Sequence, residues 1–258
     1  MSNRSDSPPI HFVARALRVA DAHAAGGRVE AARLVYAQVL GAEPGNAAAT
    51  AALADLAPAP RSLPRRLLGP VARTAVEELA QRPRIWKYRL LSTCSRVTGT
   101  PRVLQPVLFV GPGAVVLGDG VQFGWKRSPL FYAGYCHVEV SCTAARIEVG
   151  DRTEFNNNLM IKSEGAGIAI GRDGLFGAHV EIFDSDFHDL DPARRRGGRP
   201  RLAPVRIGDN VFVGMGVKIL KGVTIGADSV IGAGAVVSSS IPAGVVAAGN
   251  PARVIREL

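Results

Sequence analysis

A single histidine, His188, stands between an acidic and a basic run in the stretch IFDSDFHDLDPARRRGGRP. The ordinary pKa of imidazole lies near neutrality, so a histidine can accept the proton of a hydroxyl group as its oxygen attacks an electrophile. The carboxylates of Asp184, Asp186 and Asp189 are close enough in sequence for one of them to orient the ring. The alternative is a solvated loop histidine without a chemical role.

The chain on the C-terminal side of this stretch repeats every six residues. Aliphatic residues recur at Ile207, Val213, Ile219, Ile225, Ile231 and Val237. A period of six fits neither an α-helix nor a plain strand, but it fits a short strand followed by a sharp corner. Gly, Asn and Asp crowd the intervening positions and tolerate the positive φ of such corners. The repeat predicts a parallel β-helix with three hexads in each triangular coil, so that residues eighteen apart stack.

The same phase continues upstream with interruptions. It includes Val149, Phe155 and Ile161, and then Ile170, Phe176 and Ile182. The step between these two groups is too long for one hexad, which predicts a small bulge at residues 163–167. The step from Ile182 to Ile207 predicts a loop extruded over residues 184–206, and loops of this length are usually functional or disordered. We predict a β-helix over residues 101–258, with an irregular stretch at 125–145.

The N-terminal residues follow a different pattern. Residues 1–9 are polar and predicted to be disordered, whereas residues 10–58 are rich in Ala and Leu. Helical spacing joins Val13, Leu17 and Ala20, and then Ala32, Tyr36 and Leu40. Breaks at Gly26–Gly27 and at residues 44–46 predict a helical hairpin followed by a third helix. The spacing is similar to a single tetratricopeptide repeat, which either docks a protein partner or forms a plain hairpin.

Residues 59–100 contain a Pro-rich linker and then a helix that we expect to break near Pro83. Basic and aromatic residues mix in this helix, which would permit contact with an anionic membrane surface. The alternative is that the basic residues form a solvent-exposed face of the helix around a stripe of apolar residues that packs on the protein. No run of about 18 apolar residues exists, so we expect no membrane-spanning helix and a cytoplasmic protein, with peripheral contact at the inner membrane face as an option.

The composition narrows the classes of partner. The net charge is +9, but only 6% of residues are aromatic and no interleaved basic–aromatic pattern recurs, which argues against nucleic acid. A basic chain also suits anionic small molecules, acidic glycans or a lipid surface. The three cysteines include no CxxC pair, so we expect buried or half-buried thiols and neither disulfides nor a zinc site. Five arginines in residues 193–201 would attract an anionic acceptor or simply be solvated.

The segment from residue 149 to the C terminus resembles the hexapeptide-repeat acyltransferases. The motifs IGAGAVV, IPAGVVAAG and GNPARVIR carry the resemblance, which is greatest to the sugar O-acetyltransferases near galactoside and maltose acetyltransferase and to exopolysaccharide-modifying enzymes. It covers the earlier coils loosely and the first hundred residues not at all. It implies a left-handed β-helix, acetyl-CoA as acyl donor, and a homotrimer with active sites between subunits.

The resemblance also implies roles for particular residues. His188 matches the general base of the family. Asp186 is grouped with it as a catalytic residue, while the question of which nearby carboxylate supports the ring, if any, stays open. Asn156 aligns best with an asparagine of the acceptor pocket, although asparagines at β-helix corners are also structural devices. Further residues predicted to contact the sugar or glycan acceptor are Asn158, Asp184, Phe212 and Met215.

The groove for acetyl-CoA is predicted in the last coils. Small residues there let ligand and backbone approach closely, and guanidinium groups match phosphates. The residues that resemble the family's cofactor contacts are Gly214, Gly232, Ala233, Ser238, Arg253 and Arg256. At residues 238–240 this chain has SSS where many members of the family have TKD. The missing lysine weakens the case for contact with the CoA phosphates at that position.

Besides a zinc enzyme, three rival functions share this fold. An N-acetyltransferase acting on a nucleotide-linked amino sugar would use the same cofactor groove. Serine acetylation is disfavoured because the helical segment here lacks the long N-terminal domain of the serine acetyltransferases. A non-catalytic scaffold would use the helical hairpin as its interaction surface. A zinc enzyme of this fold needs three converging histidines. Only His137 and His179 compete with His188 for that role, and their spacing predicts no metal site.

Overall fold

The computed structural model describes residues 10–56 and 70–258 of the chain. The chain divides into two compact units, Met1–Pro70 and Val71–Leu258. The tail predicted at residues 1–9 and the Pro-rich part of the predicted linker lie outside the described residues.

The first unit contains three helices, α1 (Ile10–Ala25), α2 (Val29–Ala42) and α3 (Ala47–Asp55). Its buried residues are Val13, Ala20, Ala32, Tyr36, Val39 and Ala49. The Asn46 side chain caps α3 by accepting a hydrogen bond from the Ala49 N–H at 3.0 Å. Tyr36 donates a hydrogen bond to Asp21, and that bond, with burial, raises the pKa of Tyr36 to about 12. The predicted helices and both breaks between them are confirmed.

The second unit begins in the first turn of α4 (Pro70–Leu91), which continues through Pro83. The predicted break at Pro83 is therefore wrong. Proline removes one helical hydrogen bond, but side chains on either side of it attach the helix to the first coils. Gln81 is buried and donates to the carbonyls of Leu104 and Phe131 at 3.2 and 2.8 Å. Arg84 donates to the same Phe131 carbonyl at 3.1 Å.

The rest of this unit is a β-helix of three sheets. Sheet A contains β1 (Val97–Thr98), β4 (Ala114–Leu117), β7 (Arg146–Val149), β10 (Ile168–Ile170), β13 (Val205–Ile207) and β16 (Thr224–Ile225). Sheet B contains β2 (Arg102–Val103), β5 (Gln122–Phe123), β8 (Glu154–Phe155), β11 (Leu175–Phe176), β14 (Phe212–Val213), β17 (Val230–Ile231), β19 (Val245–Gly249) and β20 (Ala252–Glu257). Sheet C contains β3 (Val107–Val110), β6 (Cys136–Val140), β9 (Met160–Ser163), β12 (Glu181–Phe183), β15 (Lys218–Ile219) and β18 (Val236–Val237).

The strand register confirms the predicted stacking. In the late coils the paired residues are eighteen apart, as in Ile207 with Ile225 and Ile219 with Val237. Phe155 pairs with Phe176 instead, because the bulge at residues 163–167 lengthens that coil. This is the architecture of a left-handed parallel β-helix with N-terminal helices, as predicted. The first strand begins at residue 97 rather than 101.

The sequence did not predict how the β-helix ends. Strands β19 and β20 form an antiparallel hairpin at the last edge of sheet B. Strand β20 therefore covers the edge of this sheet, whose unpaired main-chain groups would otherwise be available to another strand.

The three sheets of the β-helix form a triangular prism, and the glycines of the repeat lie at its corners. Gly216 and Gly234 have φ of 72° and 71°, a conformation that glycine adopts without strain. Gly214 has a different reason: a Cβ atom there would lie 2.5 Å from the Ala233 nitrogen of the next coil. Gly226, at another corner, would meet the Ala243 nitrogen at 2.3 Å. Close stacking of coils thus requires glycine whether or not a ligand is near.

The cysteines are unpaired, and Cys136 is fully buried. Burial raises the pKa of the Cys136 thiol to about 12, so it is protonated and unreactive at neutral pH. Cys94 and Cys142 are half-buried. These positions confirm the prediction of buried and half-buried thiols.

Within residues 10–56 and 70–258, none of the helices combines the length and the apolar character needed to cross a membrane.

Candidate functional site

The His188 loop, residues 184–204, leaves the β-helix between β12 of sheet C and β13 of sheet A. Its two limbs pair at the base, where the Ala203 N–H donates to the Asp184 carbonyl at 3.0 Å and an antiparallel bridge follows. The predicted extrusion is confirmed, and the paired base gives the loop a defined starting direction.

The Asp184 side chain attaches the base of this loop to the β-helix. Its carboxylate is fully buried and accepts hydrogen bonds from the Ser163 hydroxyl at 2.7 Å and from the N–H groups of Glu164 and Gly167 at 2.7 and 2.8 Å. The expectation that Asp184 contacts the acceptor is corrected, because both of its oxygens are used inside the chain. Asp184 instead ties the loop to the bulge at residues 163–167.

The outer face of sheet C supports the loop from the side. The Lys162 ammonium lies 5.1 Å from the centre of the Phe187 ring, close enough for a cation–π contact. It also pairs with Glu139 at 3.2 Å and with Glu164 at 3.5 Å. The Phe187 ring meets the Phe183 ring edge to face, with centroids 5.1 Å apart. The residue next to His188 is therefore held on the β-helix.

Glu139 is the charged centre of this support. Burial opposes its ionisation, but hydrogen bonds from His137, Ser141 and Lys162 outweigh that effect and hold the pKa of Glu139 below its ordinary value. Glu139 is therefore negative at neutral pH and keeps the Lys162 ammonium in place. His137, one of the histidines considered for a metal site, is used in this network at 3.0 Å from Glu139.

His188 itself is exposed, and one of its ring nitrogens is tied to the main chain. Nδ1 lies 3.3 Å from the Arg195 carbonyl oxygen. A carbonyl can only accept a hydrogen bond, so in the neutral ring this contact places the proton on Nδ1 and leaves the lone pair on Nε2. This is the tautomer that a general base needs. The main-chain N–H of His188 donates to the Asp186 carbonyl at 2.8 Å.

The neighbouring carboxylates have other partners. Asp186 Oδ1 lies 2.9 Å from the Lys221 ammonium, and its Oδ2 is buried without a hydrogen-bond partner among the described residues. The Asp191 N–H, and then Arg194, hold the pKa of Asp189 below its ordinary value. Within the described chain neither carboxylate bonds the imidazole. A main-chain carbonyl, and not the carboxylate of Asp186 or Asp189, therefore contacts the His188 ring.

Asn156 lines a pocket of about 160 Å³ on the outer face of sheet B. Phe212, which the sequence also singled out, lines the same pocket. Sequence reasoning missed Glu154, Leu175 and Trp125, which also line it. Glu154, Leu175 and Phe212 are stacked strand partners, so the outward positions of the repeat could have revealed two of these residues. Trp125 belongs to an irregular loop and gives no such signal.

The two asparagines that follow are used inside the chain. Asn158 adopts a φ of 59° at the corner, and its side-chain oxygen accepts from Gln105 Nε2 at 3.2 Å. Asn157 is fully buried and holds residues 125–129 through its side-chain amide. Met215 is exposed at the same edge of the prism but does not line the Asn156 pocket. Of the asparagines, only Asn156 borders the pocket.

The residues expected to bind acetyl-CoA lie in the last coils. Ala233, Ser238, Arg253 and Arg256 are exposed, and both arginines are on β20. Gly214 and Gly232 are different, because a Cβ at either would lie within 2.5–2.7 Å of the following coil. These two glycines are required by coil packing, so their presence does not distinguish a cofactor groove. The exposed alanine, serine and arginines remain compatible with one.

Asn156 and His188 lie at different corners of the prism. Asn156 follows β8 of sheet B and precedes sheet C, whereas the His188 loop leaves at the far side of sheet C. Strand β9 separates these corners, and four residues span about 13 Å. Among the hydrogen bonds of the described residues none joins the two side chains. A site that uses both requires a second copy of the chain or a displacement of the loop.

The described residues contain no group of three His, Cys, Asp or Glu side chains that could hold a metal ion. His179 is exposed at a corner with a φ of 59°. The position expected for His179, at a corner, is confirmed.

Comparisons with known proteins agree with this architecture. The family model described as bacterial transferase hexapeptide (six repeats) matches residues 204–239. Galactoside O-acetyltransferase of Escherichia coli is 36% identical over 52% of this chain and 61% of its own length. Galactoside O-acetyltransferase of Lactococcus lactis is 37% identical over 50% of this chain and 58% of its own. The chain thus spans less than two thirds of the length of these relatives.

A solved galactoside acetyltransferase in complex with coenzyme A is 27% identical, covering 76% of this chain and 74% of that chain, with a TM-score of 0.41. At that TM-score the structural likeness carries no argument. By its repeat and by these sequence matches, the β-helix of this chain is similar to hexapeptide-repeat acetyltransferases.

Proposed function

We propose that the chain transfers an acetyl group from acetyl-CoA to a hydroxyl of a sugar, as part of a glycan or polysaccharide precursor, with His188 as general base. The observation that carries this proposal is the exposed imidazole whose Nδ1 faces a main-chain carbonyl, leaving Nε2 as a proton acceptor. The names of the matched galactoside O-acetyltransferases support the transferred acetyl group and the class of acceptor.

The chemistry requires a base because a sugar hydroxyl is a weak nucleophile at neutral pH. His188 Nε2 takes the hydroxyl proton while the oxygen forms a bond to the thioester carbonyl carbon. The carbon–sulfur bond then breaks, and the imidazolium returns its proton to the departing thiolate. A general base of this kind typically accelerates a reaction by about 10²–10⁴-fold. The Arg195 carbonyl fixes the reactive tautomer in place of a carboxylate.

The acceptor pocket proposed for this reaction is the one lined by Asn156, with Phe212 and Glu154 beside it. An amide both donates and accepts, so Asn156 can hold a sugar hydroxyl in either sense. In this proposal acetyl-CoA binds along the last coils at Ala233 and Ser238. Arg253 and Arg256 contact its phosphates. Because Asn156 and His188 lie at different corners, we propose a homotrimer in which neighbouring copies complete each site.

The test is release of free CoA thiol by the purified full chain with labelled acetyl-CoA and a panel of oligosaccharides and nucleotide sugars. We expect label in a base-labile ester and thiol release that depends on the acceptor. His188→Asn should lower kcat by about 10²–10⁴-fold without changing the melting temperature. His179→Asn is the matched control, an exposed histidine at a corner that tolerates asparagine, and should keep full activity.

The outcomes separate the rival functions. Label found in an amide of an amino sugar would replace the O-acetyltransferase by an N-acetyltransferase with the same groove. Full activity of His188→Asn would remove the base from the mechanism. A folded protein that neither binds acetyl-CoA nor releases thiol with any acceptor would favour the scaffold, and pull-down with the helical unit would then be the next measurement.

A further inference from the structure

A second and larger cavity lies beside the Asn156 pocket. It has a volume of about 740 Å³ and is enclosed by α4, by the chain around β2 and by the loop at residues 125–131. Its floor is fixed, because the buried Gln81 side chain bonds the Leu104 and Phe131 carbonyls that border it. We name it the α4 cavity.

The α4 cavity is strongly basic. Four cationic side chains line it, and no Asp or Glu is among its lining residues; the cations are Arg82, Arg102, Lys126 and Arg127. Arg102 donates to Gln122 Oε1 at 3.2 Å, which holds its guanidinium toward the cavity wall. Several cations around one partly enclosed space favour an anionic group there, since the low-dielectric walls strengthen their combined field.

The cavity also has an apolar side. Ile85 of α4, Trp125 and Phe131 line it together with the cations. A ligand with both an anionic group and a ring would therefore find partners for each, because arginines bind phosphate oxygens and an indole offers a flat face.

The α4 cavity adjoins the Asn156 pocket. Gln122 and Trp125 line both spaces. Strand pairing places Arg102, Gln122 and Glu154 in one outward column on sheet B, one strand apart. Adjacent strands are separated by about 4.8 Å, so Arg102 lies about 10 Å from the Glu154 end. That length is on the scale of a hexose with an attached phosphate.

The charges along this column orient such a ligand. Arg102 is cationic, Gln122 is neutral and buried, and Glu154 places a carboxylate beside Asn156. A carboxylate repels a phosphate but accepts hydrogen bonds from sugar hydroxyls. The anionic end of the ligand therefore belongs in the α4 cavity, and its hydroxyl end belongs at Asn156.

We propose that the acceptor is a sugar carrying a phosphate or diphosphate, and that the α4 cavity binds this anionic group while the sugar occupies the Asn156 pocket. This proposal rests on the acetyl transfer proposed above. It adds that Arg102 and Arg127 recognise the acceptor. These two residues line the α4 cavity at sheet B, whereas the arginines of the His188 loop lie between sheets C and A. Of those loop arginines, Arg194 pairs with Asp189 and Asp191.

The test compares galactose with galactose 1-phosphate in the thiol-release reaction, using the purified full chain. We expect the phosphate to raise kcat/KM by at least about tenfold, the effect of one good charged hydrogen bond. Arg102→Gln and Arg127→Gln should each remove most of that advantage through KM. Both residues are exposed, so the melting temperature should not change.

The control is Arg206→Gln, which removes the same charge from the exposed outer face of sheet A. It should keep the full phosphate advantage. A phosphate advantage that is absent, or unchanged in both cavity variants, would overturn the proposal. Loss of the advantage in Arg206→Gln as well would show a general charge effect and would overturn it too.

Binding measured without acetyl-CoA separates this proposal from the acetyl transfer. Calorimetric binding of galactose 1-phosphate that depends on Arg102, in a protein that acetylates nothing, would support the cavity and overturn the transfer. Acetyl transfer to neutral sugars without binding of galactose 1-phosphate would support the transfer and overturn the cavity proposal. Comparing a nucleotide diphosphate sugar with a short polyprenyl diphosphate sugar then identifies the source of the phosphate, and either one used in an Arg102-dependent way supports the proposal.

Discussion

The coils at residues 205–241 and the part of the β-helix before them are built by the same repeat but differ in what interrupts it. In the late coils the strands follow one another without insertions, and Val213, Ile219 and Ile225 are fully buried. The earlier part contains two excursions, residues 124–135 and the His188 loop at 184–204. These excursions supply Trp125 and His188, whereas the late coils supply a rigid stack.

The two regions are also held together by different forces. Stacked aliphatic and aromatic side chains stabilise the coils through burial of apolar surface. The excursions are instead attached by fully buried polar side chains, Asn157 and Gln105 for the first and Asp184 for the second. The coils should therefore tolerate loss of a loop anchor better than loss of a core residue.

Shortening a core side chain of the late coils should have the largest effect on stability. Ile219 is fully buried between strands of sheet C, so Ile219→Ala should lower the free energy of unfolding by about 2–5 kcal/mol. The melting temperature measures this, and acetyl transfer per folded molecule should stay the same. Val236→Ala, on the outer face of the same sheet, should cost much less. Equal losses from the two variants would contradict the picture of an inward stack.

Removing the charge of the second loop anchor should have a smaller and more local effect. Asp184→Asn replaces one accepting oxygen by an NH₂ group that faces existing donors, so we expect a loss of about 1–3 kcal/mol. Protease cleavage within residues 193–201 should become faster while the coils stay protected. Asp173→Asn is the matched control, an exposed carboxylate paired with Arg152, and should leave the loop unchanged. Identical cleavage of both variants would remove Asp184 as the anchor.

Loss of the lateral support should change catalysis more than stability. Lys162→Met removes the contacts to Phe187, Glu139 and Glu164, and the displaced loop should lower kcat by about two- to tenfold. Lys162 is a positioning residue, so KM for acetyl-CoA should not change, and Lys162→Arg should restore part of the rate. Lys218→Met removes an ion pair with Glu181 on the same sheet and should keep the wild-type kcat. A drop in kcat for both variants would point to a general effect of sheet C.

The regular region could be predicted almost completely from the sequence. A six-residue period of aliphatics identifies the inward positions because every coil repeats the same backbone, and Ile207, Val213 and Ile219 all face the core as expected. The prediction was wrong or incomplete where a tertiary contact outweighs local preference. Proline at residue 83 did not break α4, because buried Gln81 and Arg84 attach the helix on both sides of it.

The candidate site was predicted only in part. The sequence singled out His188 and Asn156, and placed Asn156 and Phe212 in what the structure shows to be one pocket. It assigned Asp184 to the acceptor, because burial of a carboxylate cannot be read from a loop sequence. It also missed the α4 cavity, whose basic residues come from segments about twenty residues apart in the chain.

The sequence by itself determined the coil, the direction in which each repeat side chain points, and the place where the chain leaves the prism, because these depend on local period and chain length. Only the tertiary structure decided which polar side chains are buried anchors and which face solvent. It also decided that α4 closes a basic cavity over sheet B and that a carbonyl supports the His188 ring. These features depend on contacts between segments distant in sequence, where the energy of a buried hydrogen bond outweighs any local preference.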